Sequence, residues 1–414
     1  MNYDECLGYL DRLGNEVLTM KFGLETIRTL LESLGDPHLQ YPSVLIAGTN
    51  GKGSVARFLN SVCTASGIRN GVYTSPHLIR PEERIVVNDL PVASQVFADC
   101  LTSVVAAVNQ LKLPSHPTYF EILTATAFLY FFEQKVKLAI LEVGMGGRLD
   151  STNVVDPVLS ILTPVGLDHQ KFLGETLEAV AGEKAGILHE ECLALMAPQR
   201  FRVRQVFASE AAKKKVKLVE LDTSTIQWLS STEGKYAFGF HGADYTLSMC
   251  GRHQVENAAL AIQAMELLAE CGFSVSRSSL KEGIEKAHGA GTMQILRHDP
   301  TIVLDGAHNA DALSNLVQFL REHTREPRTL VFSIMKDKDI TPVGELLEAC
   351  FQNIYLTAVD SPRAASVEAL QSLFPSGIPV GDPLSAYQQS LNSSAETIVV
   401  TGSFYLVGEI LRSL

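Results

Sequence analysis

The chain has 414 residues, more than one ordinary core accommodates, and a formal charge of -12 from 34 basic and 46 acidic side chains. That balance excludes an overall basic field for nucleic acid or an anionic membrane, so an anionic ligand needs local cations. The 7 cysteines are odd in number and form no Cys-x-x-Cys pair, the usage of reduced core residues rather than a disulfide or zinc framework.

The amino terminus, MNYDECLGYLDRLG, places acids early and lacks the basic, apolar, small-residue succession of a secretory signal. No apolar run approaches the roughly 20 residues that span a bilayer. The expectation is a soluble, cytoplasmic chain. Short β-rich runs follow at 43–48 (SVLIAG), 137–144 (KLAILEVG) and 157–166 (PVLSILTPVG), and between them EILTATAFLYFFEQ, 121–134, is long enough for a buried helix. This alternation predicts an α/β fold with a largely parallel sheet. From Val203 to Cys250 the runs KKKVKLVEL, KYAFGF and YTLSMCG read as short strands of an antiparallel insertion. GRHQVENAALAIQAMELLAECG then has helical spacing and a C-cap at Gly272. The glycine-rich stretch near 288–294 is a candidate hinge. Beyond it TIVLDGAHN, TLVFSIM, NIYLTAV and ETIVVTGS restart the βα alternation. The predicted domains are 1–287, a P-loop ATPase-like domain with its small antiparallel insertion, and 295–414, a Rossmann-like α/β domain.

The stretch SVLIAGTNGKGSVARFL carries the first chemistry. Strand, glycine turn and helix occur in the order that lets backbone N–H groups and a helix N-terminus cradle phosphate. Thr49, Asn50, Gly51, Lys52, Gly53 and Ser54 form the candidate nucleotide loop. Lys52 supplies charge for the β and γ phosphates, and either Ser54 or Thr49 a hydroxyl for Mg²⁺. Gly53, between the lysine and the serine, departs from the usual pattern.

IAGTNGKGS resembles the loop of the folylpolyglutamate synthase and dihydrofolate synthase family of the Mur ligase superfamily. KFGLETIRTLLESLG, TSPHLIRPEERIVVN, TYFEILTATAFLYF, LEVGMGGRLDSTNVV, GLDHQKFLGETLEAVAGEKAGI, GRHQVENAALAI, LDGAHN, DKD and VTGSFYLVGEI look like that family's segments in its order, over nearly the whole chain. The resemblance implies an ATP-dependent ligase forming an amide between a pteroate or folate carboxylate and L-glutamate through an acyl phosphate. Its partners would be small molecules, and the chain a monomer binding neither nucleic acid nor membrane. It also implies two Mg²⁺ sites: Ser75 and Glu142 at one, His169 and a carbamylated Lys184 at the other. Lys52, Lys184 and His308 would be catalytic. Asn257 and Asp305 would hold the nucleotide, Phe120, Asp150, Ser151 and Arg84 the pterin substrate, and Ser403 the amino acid.

Each residue also has a plainer reading. His169 reads as a loop histidine beside Asp168, and Lys184 as a helix lysine paired with Glu183 or Glu178. Asn257 reads as a helix start, Phe120 as core, Asp150 as a helix cap, and Arg84 and Arg148 as members of surface ion pairs. The family pattern fails at residues 289–294, GAGTMQ, where a Trp-Pro-Gly-Arg sequence is expected. Thr292 stands in the arginine's place, a loss on the order of 10²-fold in rate if that cation acts in the transition state. Arg297 or Lys336 could substitute. The alternatives are therefore a catalytically weak ATP- and folate-binding homologue, or another Mur-type amide ligase.

Overall fold

The computed structural model describes residues 1–14, 16, 19, 23–232 and 234–414. Lys21 and Phe22 of the KFGLETIRTLLESLG segment lie outside the described residues. The chain packs as two units: Met1–His77, Pro81–Ser224 and Asn257–Ile284 form one, and Leu78–Arg80, Thr225–Glu256 and Glu285–Leu414 the other.

The first unit is built on strands β1 (Ser43–Ala47), β2 (Asn70–Tyr73), β3 (Ile85–Val87), β4 (Leu90–Pro91), β5 (Leu138–Glu142), β6 (Pro157–Leu162), β7 (Leu193–Met196) and β8 (Lys217–Glu220). They make one 8-stranded sheet in the order β4-β3-β2-β5-β1-β6-β7-β8. From β2 to β8 the pairing is parallel, while β3 and β4 continue it antiparallel. Every residue of β1 and β5 is buried, as unbroken apolar runs in a doubly covered parallel sheet must be. The helices of this unit include α1 (Tyr3–Arg12), α2 (Glu25–Ser33), α3 (Lys52–Ala65), α4 (Ser94–Gln110), α5 (Tyr119–Glu133), α6 (Gln170–Leu173), α7 (Leu177–Lys184) and α8 (Phe201–Lys213). Thr118 starts α5 with a reciprocal capping box: its hydroxyl accepts the Glu121 N–H, and the Glu121 carboxylate accepts the Thr118 N–H.

Two expectations are corrected here. Residues 201–213 form helix α8 rather than the start of an antiparallel insertion, because Val203, Phe207 and Ala211 recur at helical spacing and are buried. The KLVE run becomes β8, the parallel edge strand of the main sheet. The antiparallel sheet is confined to β9 (Gln227–Thr232), β10 (Lys235–Phe240) and β11 (Ala243–Leu247).

That small sheet packs within the second unit. Tyr236 on β10 shares a 2.8 Å hydrogen bond with His323, and their rings meet edge to face. Helix α9 (His253–Glu270) follows, ending before Gly272 at φ 90, and then α10 (Arg277–Lys286). The second unit's own sheet uses β12 (Gln294–His298), β13 (Thr301–Leu304), β14 (Arg328–Phe332), β15 (Asn353–Leu356), β16 (Ile378–Pro379) and β17 (Thr397–Thr401). Their order is β12-β13-β17-β14-β15-β16, parallel except for β12. Helices α11 (Ala310–His323), α12 (Gly344–Glu348), α13 (Val367–Leu373), α14 (Pro383–Leu391) and α15 (Phe404–Ser413) complete it. The four expected strands are β13, β14, β15 and β17. Among the described residues no helix is long and apolar enough to cross a membrane.

Candidate active site

In parallel sheets the carboxyl ends of the strands share one edge, and ligand crevices open there. In the first unit Lys52 follows the loop after β1, Ser75 and His169 lie in the loops after β2 and β6, and Glu142 ends β5. The first of these loops is shaped by two glycines. A Cβ at Gly48 would overlap the Thr163 side chain, and Gly51, the residue preceding α3, has φ 89. The Thr49 and Asn50 N–H groups donate to the Pro164 carbonyl at 2.9 and 3.3 Å. The Thr49 hydroxyl donates to the Gly166 carbonyl at 3.0 Å. The first-turn amides of an α-helix generally lack intrahelical acceptors, which is what makes a helix start such as that of α3 an anion-binding place.

Two lysines converge on one carbonyl of this loop. Lys52 donates from Nζ to Gly48 at 3.2 Å and to Thr49 at 3.3 Å. Lys184, buried at the end of α7, donates to the same Gly48 oxygen at 2.8 Å. It is therefore not a solvated helix lysine; the Glu183 carboxylate lies instead 3.5 Å from Arg148.

Glu142 ends β5 and is buried. Its Oε1 lies 4.0 Å from Lys52 Nζ, and its Oε2 accepts the Ser75 N–H at 3.4 Å. Burial pushes its carboxyl up from the usual range, and the Lys52 and Arg57 charges pull it back. Arg57 is a residue that sequence reasoning missed. Its signal was its place four residues after Gly53 on α3, on the same helix face. Asn257 also belongs here, since a Cβ at Gly51 would stand 2.6 Å from its Oδ1.

The pterin-side candidates flank the same edge. Phe120 leans over Gly144, where a Cβ would stand 2.6 Å from Phe120 Cζ, and its ring lies 5.8 Å from that of Tyr73. Asp150 is buried, and its carboxylate accepts the Met145 N–H at 2.9 Å, the Thr152 N–H at 3.0 Å and the Thr152 hydroxyl at 2.6 Å. It holds the GMGG turn, so it serves the loop as well as any ligand. Burial pushes its carboxyl up, and these bonds oppose that. Ser151 beside it is buried too. Arg84 is not in a surface ion pair: it is 2% exposed, donates to Glu16 at 2.8 Å and to His77 Nδ1 at 2.9 Å, and lies over the Tyr119 ring.

His169 has φ 51 and precedes α6; its N–H donates to Asp168 at 2.8 Å, and its Nε2 lies 3.8 Å from the Asp168 carboxylate. Among the described residues no group of three or more His, Cys, Asp or Glu side chains could hold a metal ion. The Glu142 carboxylate with the Ser75 hydroxyl nonetheless fits hard Mg²⁺, which commonly takes one or two carboxylates and completes its shell from substrate phosphates and water. His169 and an unmodified Lys184 do not fit it, one offering nitrogen and the other no lone pair.

In the second unit the loops after β13 and β17 meet at the carboxyl edge. Asp305 is buried and accepts the Met293 N–H at 2.7 Å and the Ala307 N–H at 3.0 Å, fastening the 289–294 turn to the DGAHN loop. Burial pushes its carboxyl up to about 6. His308 Nδ1 donates to the Gly306 carbonyl at 2.7 Å, which fixes the proton on that nitrogen. Its ring lies 6.0 Å from that of Phe404, the neighbour of Ser403. The Ser403 hydroxyl caps α15 by accepting the Tyr405 N–H. Arg297 and Lys336 each donate to a backbone carbonyl, Pro300 and Pro362. Sequence reasoning also missed Arg363, a buried guanidinium bonded to both oxygens of Asp337 in the DKD segment at 3.0 and 2.9 Å.

Residues 46–265 match the Mur ligase middle domain, and 292–404 the glutamate ligase domain of Mur ligases. The chain is 34% identical over 410 residues to the dihydrofolate synthase/folylpolyglutamate synthase of Bacillus subtilis, covering 95% of each. It is similar in structure to Mycobacterium tuberculosis folylpolyglutamate synthase complexed with ADP and AMPPCP, with a TM-score of 0.89, 29% identity, and coverage of 100% of this chain and 99% of that one. E. coli FolC in complex with DHPP and ADP gives a TM-score of 0.88 at 29% identity, over 100% of this chain and 97% of that one. The chain belongs to the Mur ligase family, in its dihydrofolate synthase/folylpolyglutamate synthase group of ATP-dependent ligases.

Proposed function

We propose that this ligase joins L-glutamate to the carboxylate of dihydropteroate, of a reduced folate, or of both. The observation that carries this reading is the gathering of Lys52, Lys184, Glu142 and Phe120 around the carboxyl ends of parallel strands, in a chain matched over its length by enzymes of that name. The nucleotide phosphates lie on the first turn of α3, with Lys52 turning from its own loop carbonyls to the β and γ phosphates. One carboxylate oxygen of the pterin substrate attacks the γ phosphorus and ADP departs. The glutamate amine then attacks the acyl carbon, phosphate leaves, and the nitrogen loses its proton. Both steps bring anions together, so the cations around Gly48 act where charge accumulates.

Glu142 and Ser75 hold Mg²⁺, which when bound neutralises phosphate charge. Ser54 or Thr49 supplies a hydroxyl to it, that of Thr49 by turning from the Gly166 carbonyl. A second Mg²⁺ at His169 requires carbamylation of Lys184, which turns an ammonium into an oxygen donor. Its test is the intact mass, with bicarbonate present. Asn257 and Asp305 serve the nucleotide, Phe120 stacks the pterin with Asp150, Ser151 and Arg84 shaping its pocket, and His308 and Ser403 serve the glutamate. The protein works as a monomer, with residues 288–294 as its hinge.

Thr292 favours a second reading, a homologue that binds ATP and folate but ligates poorly. Incubation with ATP, Mg²⁺ and labelled glutamate, separately with dihydropteroate and a reduced monoglutamyl folate, decides by mass spectrometry. An amide product is expected from at least one acceptor. ATP binding without any product overturns the ligase reading and leaves the second.

A further inference from the structure

Gly53, the residue that breaks the loop's pattern, lies beside two opposite charges. A Cβ there would stand 3.4 Å from Glu142 Oε2 and 4.0 Å from Arg57 Nη1. A single methyl would therefore already touch both groups. Gly53 and Arg57 are four residues apart on α3 and share a face, so the guanidinium reaches back from the second turn to the first. Lys52 lies on the other oxygen, 4.0 Å from Oε1. The attraction is reciprocal: burial lowers the Arg57 pKa while Glu142 raises it, and burial raises that of Glu142 while Lys52 and then Arg57 lower it.

The two cations are not equivalent. Lys52 bonds its own loop and is the group placed to turn toward phosphate, so its hold on Glu142 lapses when it does. Arg57 belongs to the body of the helix, past the loop that faces phosphate. We propose that Arg57 is a positioning residue, holding the Glu142 carboxylate in the orientation that receives Mg²⁺ while Lys52 serves the nucleotide. This role rests on the reading of Glu142 as a metal ligand. Gly53 is then the position on α3 that both groups flank.

The test is ADP binding to the full chain by calorimetry, once with Mg²⁺ and once with EDTA, for the native protein and for Arg57→Gln, Arg57→Lys, Glu142→Gln and the Arg57→Gln/Glu142→Gln double variant. The expected result is that Arg57→Gln reduces the Mg²⁺-dependent gain in affinity roughly tenfold, about 1.4 kcal/mol. Metal-free affinity should change much less, Arg57→Lys should restore part of the gain, and the double variant should be no worse than Glu142→Gln. Equal losses with and without Mg²⁺ overturn the inference by making Arg57 a nucleotide contact. A lowered melting temperature with an unchanged Mg²⁺ gain overturns it by making Arg57 structural. A native chain that binds ADP equally with and without Mg²⁺ overturns the metal assignment of Glu142 itself, and the role of Arg57 with it.

Discussion

Asp305 fastens the turn containing Thr292 to the DGAHN loop, and replacing it with asparagine tests that attachment through the pH dependence of stability. The carboxyl is buried, and its pKa rises from an ordinary 3.8 to about 6 in the folded chain. Below about pH 4 the group is protonated in both states. Between about 4 and 6 it is protonated only in the folded one, so unfolding releases a proton and stability falls as pH rises. A rise from 3.8 to about 6 corresponds to roughly 3 kcal/mol across that window, an upper figure for one buried group. Asp305→Asn does not titrate, so it carries no such slope. It retains one amide oxygen for two N–H donors, Met293 and Ala307, and therefore pays a pH-independent cost of about 1–3 kcal/mol. Urea unfolding of both proteins from pH 4 to 7 should show the native chain losing stability relative to the variant as pH rises, with the two curves parallel above about 6. Curves parallel throughout, or a native chain that gains on the variant with rising pH, would refute the assignment of a raised carboxyl to Asp305.

Two further substitutions separate the substrates. Glu142→Gln removes the charge that lies 4.0 Å from Lys52, a pair worth at most about 4 kcal/mol at an effective dielectric of 20. With EDTA present the variant should bind ADP at least as tightly as the native chain, because Lys52 is no longer countered, while the Mg²⁺-dependent rate falls by roughly 10³-fold; equilibrium binding and product formation against Mg²⁺ check both. Gly144→Ala puts a methyl 2.6 Å from Phe120 Cζ and displaces the ring at about 1–3 kcal/mol of crowding. Steady-state kinetics should show KM for the folate acceptor rising and KM for ATP unchanged; a matched rise in both would remove Phe120 from the acceptor site.

The parallel sheets were legible because β1, β5, β6, β13, β14 and β17 are rich in apolar and β-branched residues without polar alternation, as strands buried on both faces are. What failed was short or depended on packing far along the chain. KKKVKLVEL joins the end of α8 to β8, so one stretch of lysines conceals a change of period from 3.6 to 2. The two-residue strands β4 and β16 are too short to show any period. The place of the small antiparallel sheet follows from the Tyr236–His323 pair, residues 87 apart, which no local pattern announces.

The same distinction governs the site. Lys52 could be singled out from the glycine turn before α3 and Glu142 from its place at the carboxyl end of a buried strand, whereas His169 and Asp305 entered through the family resemblance. Arg57 and Arg363 escaped because they lie on a helix and a loop with no local pattern around them, and what marks them is spatial: Arg57 beside Glu142 at Gly53, and Arg363 bonded to Asp337. An arginine in an amphipathic helix is ordinarily a solvated residue, and only three-dimensional proximity to Glu142 distinguishes this one. Gly53 gains its meaning in the same way. As a letter between lysine and serine it looks like an error in a phosphate loop; in the structure it is the position beside which the Glu142 carboxylate and the Arg57 guanidinium both lie, so the departure from pattern marks where the unrecognised arginine is found.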